Sequence, residues 1–429
     1  MKGILVIIDG VADEPTSVLK EDTPLEAAKT PNLDWFAERA KLDYCYPVKK
    51  DFTPESNEGV LSLLGYDPFL IKRGTLETLG LGVQLKNGDL AFRCNFATID
   101  NVEDANILDR RAGRTLTTKE ARILAEAVNK EVKLPFKFEF YPAVQHRGAL
   151  VIRGGFSDNI TGVEANAQKL KPQDSLALTN LDGAQEPNTQ KWFLTFSHPL
   201  DEEDDSKLSS ELINQFVRKS FEVLDRHPIN LERTRKGFFP ANVILCRGPG
   251  SEKPKLKKIK GKWLALGYMP LEKGIAKALG MDIYKFSYPP LKKFDVYDNL
   301  YAGLWRAMKY SIKMLRKNKK KYDYFYIHLK ETDIPGHDNK PLDKLKMIEI
   351  LDKKLLKFLR KFIKNEKLII TADHTTACRK KAHTADPVPV LSYPFTGKGL
   401  HIQRFTESCA LQGKQILGRR LLKEKMFDK

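Results

Sequence analysis

The stretch Gly3-Ile4-Leu5-Val6-Ile7-Ile8-Asp9 is an unbroken apolar run that ends in a carboxylate. A run of this length is typical of a strand that is buried on both faces of a parallel sheet. Helical patterns lead into two further runs of this kind, at Tyr324–Leu329 and at residues 368–371. Because strands that alternate with helices build parallel sheets, the sequence predicts an α/β core with a mostly parallel sheet.

The middle of the chain has a different texture and predicts a second domain. Residues 89–97, 136–141 and 148–153 look like strands of a separate unit, and polar, loop-rich sequence follows around residues 166–190. A basic stretch with proline and glycine, residues 248–261, is typical of a linker that returns to the first domain. We therefore expect a discontinuous domain of residues 1–70 and 260–429 and an inserted α+β domain of residues 71–259.

The composition is that of a large globular protein with a basic surface. At 429 residues and 41% hydrophobic content, the chain can bury a sizeable core, and its formal net charge is +18. Lysine-rich runs raise nucleic acid as a partner. In the richest of them, within residues 342–364, apolar residues recur every three to four positions, which places the lysines on the solvated face of a helix. This face is the simpler explanation, and a basic protein also suits a small anionic substrate.

Two absences in the sequence indicate the setting. The opening apolar run is followed by Asp9 and lacks a small-residue cleavage pattern, and no apolar run approaches the roughly 20 residues of a membrane helix. The five cysteines are scattered and never form a C-x-x-C pair, so neither a disulfide framework nor a cysteine zinc site is expected. We therefore expect a soluble protein of the reducing cytoplasm.

Side chains that bind metals follow each of the three predicted strands. They are Asp9, Asp333, His337, Asp373 and His374, with His383 close behind. Because the carboxyl ends of parallel strands share one edge of a sheet, these residues should converge. A single Asp there is usually a turn or cap residue and a single His is usually structural, so the interpretation depends on the combination.

Three carboxylates and three imidazoles are enough for two divalent cations. Mixed oxygen and nitrogen ligands suit manganese or zinc better than magnesium or calcium. Two cations a few Å apart can stabilise the entering and the leaving oxygen of a transferred phosphoryl group. The pattern therefore favours phosphoryl-transfer chemistry.

Ser56 is the candidate to accept a phosphoryl group. It lies in a polar turn just before the apolar residues 60–64. A serine in this position is usually an ordinary helix N-cap. The two roles are compatible, since a serine at a helix start can be ionised by a metal while the helix N-terminus favours phosphate.

Short motifs along nearly the whole chain share one pattern. They are DG at 9–10, TPLEAAKTPNL at 23–33, LLGYDP at 63–68, FRCNFAT at 92–98, DRRAGR at 109–114, TD at 332–333, GHD at 336–338, DH at 373–374 and HTADPVPV at 383–390. Together they closely resemble the archaeal-type cofactor-independent phosphoglycerate mutases.

The resemblance implies an alkaline-phosphatase-like domain formed by both chain ends, with a substrate-binding domain inserted between them. It implies that one metal is held by Asp333, His337 and His383, and the other by Asp9, Ser56, Asp373 and His374. It also implies that basic residues hold the substrate carboxylate and phosphate, namely His146, Arg111, Arg114, Arg247 and Lys273. For any single arginine, a surface ion pair is the simpler alternative.

The chain departs from the family pattern at three places. Val60 stands where the family usually has a histidine, and the loop after Gly10 lacks a common second glycine. Residues 160–168 lack the family's loop with aspartate and proline. These departures concern substrate choice and rate more than the metal chemistry.

The resemblance implies an isomerase that interconverts 3-phosphoglycerate and 2-phosphoglycerate through a phosphoserine, with two divalent metal ions. Manganese is favoured, and zinc, cobalt and magnesium are the alternatives. A phosphatase or a phosphotransferase on another small phosphorylated metabolite keeps the same metals. A catalytically inactive protein whose basic faces hold RNA is a rival of another class. The sequence leaves the oligomeric state open.

Overall fold

The computed structural model describes residues 1–102, 105–169, 190–252, 254–291, 295–394 and 404–428. The chain forms two compact units, each described by itself below. The first consists of Met1–Leu70, Leu256–Pro289 and Tyr297–Lys429, and the second of Ile71–Lys255 and Pro290–Val296. Among the described helices, none combines the length and the apolar character needed to cross a membrane.

The strands, in chain order, are β1 (Gly3–Ile8), β2 (Lys41–Tyr46), β3 (Leu90–Ile99), β4 (Ile107–Asp109), β5 (Phe138–Pro142), β6 (Arg147–Ile152), β7 (Glu164–Lys169), β8 (Gln190–Thr195), β9 (Val243–Gly250), β10 (Trp263–Leu266), β11 (Asp282–Ile283), β12 (Tyr324–Leu329), β13 (Lys367–Thr371), β14 (Thr375–Ala377), β15 (Ala382–Thr384), β16 (Val388–Tyr393) and β17 (Gln415–Leu417).

The α-helices are α1 (Pro24–Ala27), α2 (Pro31–Ala37), α3 (Ser56–Leu63), α4 (Arg73–Gly80), α5 (Thr118–Glu131), α6 (Asp204–Asp225), α7 (Pro228–Arg235), α8 (Pro270–Ala278), α9 (Val296–Asn318), α10 (Asp333–His337), α11 (Pro341–Leu351), α12 (Lys357–Phe362) and α13 (Glu407–Ala410). Short 3-10 turns cover Ser17–Leu19, Ala112–Arg114 and Gly418–Arg420, and π turns cover Asp352–Leu356 and Leu422–Phe427.

The first unit is built on an eight-stranded sheet, counted over the described residues, in the order β11-β10-β12-β1-β13-β16-β2-β17. The strands from β11 to β13 are parallel, and β16 runs antiparallel to both β13 and β2. This sheet confirms the predicted α/β class with a mostly parallel sheet. All six residues of β1 are buried, as an uninterrupted apolar run requires.

The central position of β1 fixes where the strands end. Ile8 lies opposite Leu329 of β12, and Ile7 lies opposite Thr371 of β13. The three strands therefore finish at the same edge of the sheet. The residues that follow them, which the sequence marked as candidate ligands, emerge side by side.

The second unit has an antiparallel sheet in which β3 pairs with β4, β6 and β9, and β5 pairs with β6. Helices α5 and α6 pack against this sheet. Their shared core contains Phe96, Phe140 and Phe216, whose rings contact one another in edge or tilted geometry. Aromatic pairs of this kind add to the stabilisation from buried area.

The helical pattern predicted for residues 342–364 is correct, but its lysines are not all on the solvated face, because Lys344 is fully buried. Helices α11 and α12 are joined by the π turn at Asp352–Leu356. Within this turn the buried carboxylate of Asp352 accepts hydrogen bonds from the backbone N–H groups of Asn32 and Leu33, at 3.0 and 2.7 Å. The interior anion thereby caps the start of α2.

A buried lysine ties two strand ends together. Lys344 of α11 is fully buried, and its Nζ donates to the carbonyl oxygens of Ala12 and Thr376 and to Oδ2 of Asp13, at 3.1, 2.8 and 2.7 Å. Ala12 and Asp13 follow β1, whereas Thr376 follows β13. One ammonium group thus fixes both loops that leave this edge of the sheet.

We expect Lys344→Ala to lower the free energy of unfolding by about 3–5 kcal/mol, because it leaves the buried charge of Asp13 unpaired. Lys353→Ala is the matched control, since this side chain is exposed and should change the stability by no more than about 0.5 kcal/mol. Denaturant unfolding of the two variants gives the comparison. Equal losses would show that the buried ion pair does not anchor the loops.

Candidate metal centre

The turn after β1 brings the first carboxylate to the centre of the site. The backbone N–H of Asp9 extends the sheet by donating to the carbonyl of Leu329, at 2.9 Å. Gly10 has φ +55°, and a Cβ at this residue would lie 2.3 Å from Oγ1 of Thr376 and 2.9 Å from Oδ1 of Asp333. Glycine is therefore required where the chain passes the other site residues.

One cluster, called the first cluster below, brings together the four residues expected at one of the metals, namely Asp9, Ser56, Asp373 and His374. Nε2 of His374 lies 3.4 Å from Oδ1 of Asp9, 3.5 Å from Oδ2 of Asp373 and 3.2 Å from Oγ of Ser56. All four side chains are buried. The structure thus places side chains from residues 9, 56, 373 and 374 around one point.

A second cluster surrounds Asp333. Nε2 of His337 lies 3.5 Å from one carboxylate oxygen, and Nε2 of His383 lies 3.6 Å from the other. The rings of His374 and His383 stack with their centroids 3.7 Å apart, so the two clusters adjoin. The three residues expected at the other metal, Asp333, His337 and His383, therefore also converge.

Two of the imidazoles are oriented by backbone carbonyls. Nδ1 of His337 donates to the carbonyl of Lys381, and Nδ1 of His383 donates to the carbonyl of Pro54, both at 3.0 Å. In each ring Nε2 is consequently the atom that faces the carboxylate. Metal-binding histidines are held in this way, with the second nitrogen donating to a fixed oxygen.

His374 is oriented by a side chain that belongs to both clusters. The hydroxyl of Thr376 donates to Oδ1 of Asp333 at 2.8 Å. Because that proton is used, Nδ1 of His374 is the donor in its 3.0 Å contact with Oγ1 of Thr376. Nε2 of His374 then presents a lone pair to the first cluster.

The side chains fit a pair of cations. Oδ1 of Asp9 and Oδ2 of Asp373 are buried and have no hydrogen-bond partner among the described residues. Isolated carboxylate oxygens in the interior are costly, and a bound cation satisfies them. Two groups have ligand atoms that all lie within 4.8 Å of one another, Asp333 with His374 and His383, and Asp9 with His328 and Asp373.

The charge distribution at the clusters also attracts cations. Burial opposes the ionisation of Asp9, but Lys330 and His328 outweigh it and hold the pKa of this carboxyl well below its usual range. Burial likewise opposes protonation of His383, yet its hydrogen bond with Asp333 and the charge of that carboxylate raise its pKa to about 9. Asp333 thus draws positive charge to the place where a metal would be.

The sequence interpretation missed several residues at the site, among them Lys330, Glu272 and His328. Nζ of Lys330 forms an ion pair with Asp9, lies 3.5 Å from Oε1 of Glu272 and donates to Oγ of Ser56 at 3.4 Å. His328 is fully buried within β12. The signal in the sequence was the spacing of His328 and Lys330. They are two residues apart, so their side chains point to the same side of an otherwise apolar strand run.

Ser56 is the first residue of α3, and Glu55 is the N-cap, so the structure does not support the alternative in which Ser56 is an ordinary N-cap. The backbone N–H of Glu55 is held by Oε2 of Glu58 at 2.8 Å, which starts the helix one residue earlier. The hydroxyl of Ser56 is therefore left for His374 and Lys330. It lies at the helix N-terminus, where negative charge is favoured.

The expected substrate residues of the second unit form a basic cluster. His146 is buried, and burial together with the charges of Arg111 and Arg114 lowers its pKa well below the usual range. Arg247 and Arg114 also act on Arg110, whose pKa is lowered first by burial. Nη2 of Arg247 lies 3.4 Å from Oε2 of Glu164.

The fifth expected substrate residue, Lys273, lies in the first unit. It is on α8, next to Glu272, and burial lowers its pKa. A less basic ammonium is more easily a proton donor than a surface lysine.

Comparisons with known proteins agree with this geometry. The family model described as 2,3-bisphosphoglycerate-independent phosphoglycerate mutase matches residues 37–230. A protein of that name from Thermococcus kodakarensis is 37% identical over 96% of this chain and 93% of its own length. One from Methanopyrus kandleri is 36% identical over 97% and 93%.

Solved structures give the same result. A protein from Pyrococcus horikoshii superposes with a TM-score of 0.71 at 28% identity, covering 99% of this chain and 96% of its own. The cofactor-independent phosphoglycerate mutase from Thermoplasma acidophilum superposes with a TM-score of 0.54 at 26% identity, covering 99% of both chains.

Gly59 allows α3 to approach the metal cluster. An alanine Cβ at this residue would lie 2.1 Å from the carbonyl oxygen of Asp373, so we expect Gly59→Ala to cost about 1–3 kcal/mol or more of unfolding free energy. Gly155→Ala is the control, because a Cβ there would meet nothing within 4 Å. Denaturant unfolding measures both, and a neutral Gly59→Ala would contradict the close packing of α3.

Proposed function

This chain belongs to the 2,3-bisphosphoglycerate-independent phosphoglycerate mutases, and on that premise we propose that Ser56 is the phosphoryl carrier of an isomerase interconverting 3-phosphoglycerate and 2-phosphoglycerate. The observation that carries the proposal is the position of the serine hydroxyl. It lies at the N-terminus of α3, 3.2 Å from Nε2 of His374 and 3.4 Å from Nζ of Lys330.

We propose that two divalent metal ions complete the site. Asp9, Ser56, Asp373 and His374 would hold one, and Asp333, His337 and His383 the other. When bound, the ions supply Lewis-acid stabilisation of the phosphoryl oxygens and lower the pKa of the attacking hydroxyl. Manganese suits the mixed oxygen and nitrogen donors best, with zinc, cobalt and magnesium as alternatives.

The transfer takes place in two displacements at phosphorus. Oγ of Ser56 attacks the phosphoryl group of 3-phosphoglycerate, and the bond from phosphorus to the C3 oxygen breaks. The glycerate then turns, its C2 oxygen attacks the phosphoserine, and the bond to Oγ breaks. In the first displacement Ser56 loses a proton and the C3 oxygen gains one. In the second the C2 hydroxyl loses a proton and Ser56 regains one, so the reaction is an isomerisation with no net change in protons.

Lys330 and the helix support both displacements. The ammonium of Lys330 remains beside Oγ and offsets the negative charge that collects there, while its ion pair with Asp9 keeps it in place. The N-terminal N–H groups of α3 favour the arriving phosphate. Lys330 and these N–H groups are already in position before the substrate binds.

We propose that the basic cluster of the second unit holds the glycerate between the two displacements. Guanidinium groups suit this task because their planar fork binds carboxylate and phosphate through two hydrogen bonds. If the glycerate left early, water would take the phosphoryl group and the enzyme would act as a phosphatase. Retention of glycerate is thus what separates the isomerase from its hydrolytic alternative.

The reducing cytoplasm is the setting that we propose. All five cysteines are free thiols, and four of them are buried. Thiols in this state suit a reducing compartment, where disulfides are rare. The partner that we propose is the small phosphorylated substrate.

The proposal is tested by incubating the protein with manganese and 3-phosphoglycerate, without bisphosphoglycerate, and following 2-phosphoglycerate by phosphorus NMR. We expect turnover that stops on chelation and resumes with manganese. Ser56→Ala should retain less than about 1% of it with an unchanged unfolding midpoint. Ser62→Ala is the matched control, because this serine lies buried in the same helix without a partner among the described residues. Substantial isomerisation by Ser56→Ala would exclude the phosphoserine.

A second experiment concerns the retention of glycerate. In Arg111→Ala or Arg114→Ala, water should reach the phosphoserine, so the ratio of free phosphate to 2-phosphoglycerate should rise while the manganese dependence stays the same. Arg122→Ala, an exposed position of α5, is the control and should leave the ratio unchanged. A constant ratio in both variants, with reduced rates, would assign retention to other residues.

A further inference from the structure

We infer that Tyr326 and His328 form a hydrogen-bonded pair that positions the carboxylate of Asp9 as a metal ligand. Both residues lie inside β12, ahead of helix α10, which begins at Asp333. The inference rests on the proposed function, because it concerns the metal that Asp9 would hold. It assigns a positioning role to two residues outside the expected ligand set.

The pair is built into the most constrained part of the sheet. Tyr326 and His328 are two residues apart, so their side chains share one face of the strand. Both are fully buried, and the tyrosine hydroxyl lies 2.7 Å from Nδ1 of His328. Strand β12 is held on both sides, by β1 and by β10, which leaves the imidazole little freedom to move.

The direction of the hydrogen bonds follows from the acceptors. Nε2 of His328 lies 3.1 Å from Oδ2 of Asp9 and 3.7 Å from Oδ2 of Asp373. Ionised carboxylates only accept, so Nε2 carries the proton and donates it to Asp9. In the neutral ring Nδ1 is then the acceptor for the hydroxyl of Tyr326, for which the described part of the chain offers no other hydrogen-bond partner.

The two carboxylate oxygens of Asp9 consequently have different partners. Its Oδ2 is occupied by His328 and by Lys330, whereas its Oδ1 has no partner among the described residues. Oδ1 lies 3.4 Å from Nε2 of His374, on the side of the first cluster. One oxygen is therefore held so that the other faces the metal position.

Lys330 alone would not give this orientation. Its long side chain has four rotatable bonds and also contacts Glu272 and Ser56, so it contributes charge but little angular constraint. A ring fixed at Nδ1 by Tyr326 sets the direction of Nε2–H. Partners of this type commonly change metal affinity 10–100-fold.

The alternative role for His328 is direct ligation, since its Nε2 lies with Asp9 and Asp373 in a group that could hold a metal. That role requires the proton on Nδ1, with Tyr326 as acceptor. The two roles differ in the effect of removing the imidazole. Loss of a positioning group weakens the site but leaves it able to fill at high manganese, whereas loss of a ligand abolishes the site.

The experiment measures manganese binding to metal-stripped protein by titration calorimetry and equilibrium dialysis. We expect His328→Gln to weaken one of two sites by roughly 10–100-fold and Tyr326→Phe to weaken the same site by about 3–10-fold. Excess manganese should restore most of the turnover. Asp333→Asn should remove the metal site at Asp333, so the site that remains in this variant is the one at Asp9, and its affinity identifies the site that His328→Gln weakens.

Tyr324→Phe, on the same strand, is the matched control, and the unfolding midpoint of each variant is measured alongside. Unchanged affinities in both His328→Gln and Tyr326→Phe would overturn the inference. Loss of the site in His328→Gln that excess manganese does not refill would also overturn it, in favour of direct ligation. Failure of the unaltered protein to bind two metals would instead contradict the proposed function.

Discussion

Three parallel strands that end at one edge of the sheet impose the constraint on which the site depends. Because β1 lies between β12 and β13, the carboxylates of Asp9 and Asp373 leave neighbouring strands in the same direction. They are buried there together, close enough to repel each other. The remaining features of the site are ways of holding negative charge in the interior, and they explain why so many cations and imidazoles surround it.

The negative charge of these carboxylates is balanced partly by lysines, which stay protonated, and partly by charges that a metal ion can replace. Burial opposes the charge of Lys330, but Asp9 and Glu272 raise its pKa, so it stays a permanent cation. Lys344 is paired with Asp13 in the same interior. The charge on His383 is replaceable, because the proton that Asp333 holds there in spite of burial would be displaced by a metal at Nε2. A site that is partly neutralised in this way can remain folded and still bind cations.

In the second unit the surplus of buried or partly buried charge is positive rather than negative. Arginine charges surround the buried His146 and, together with burial, keep it neutral by lowering its pKa. A neutral imidazole among guanidinium groups adds a hydrogen-bonding group without adding repulsion. Such a cluster is suited to an anion that carries both carboxylate and phosphate, as the proposed function requires.

The sequence by itself determined the α/β class, the strands and the convergence of Asp9, Asp333, Asp373 and their histidines, because burial of a continuous apolar run and the polarity of parallel strands are local properties. It did not determine that Glu55 rather than Ser56 caps α3, since competing caps differ by little energy. Nor did it find Tyr326, His328 and Lys330, whose roles depend on which side chains face them. Only the tertiary structure decided those partners, because hydrogen bonds between residues about 320 positions apart are fixed by the packing of the strands and leave no periodic pattern in the chain.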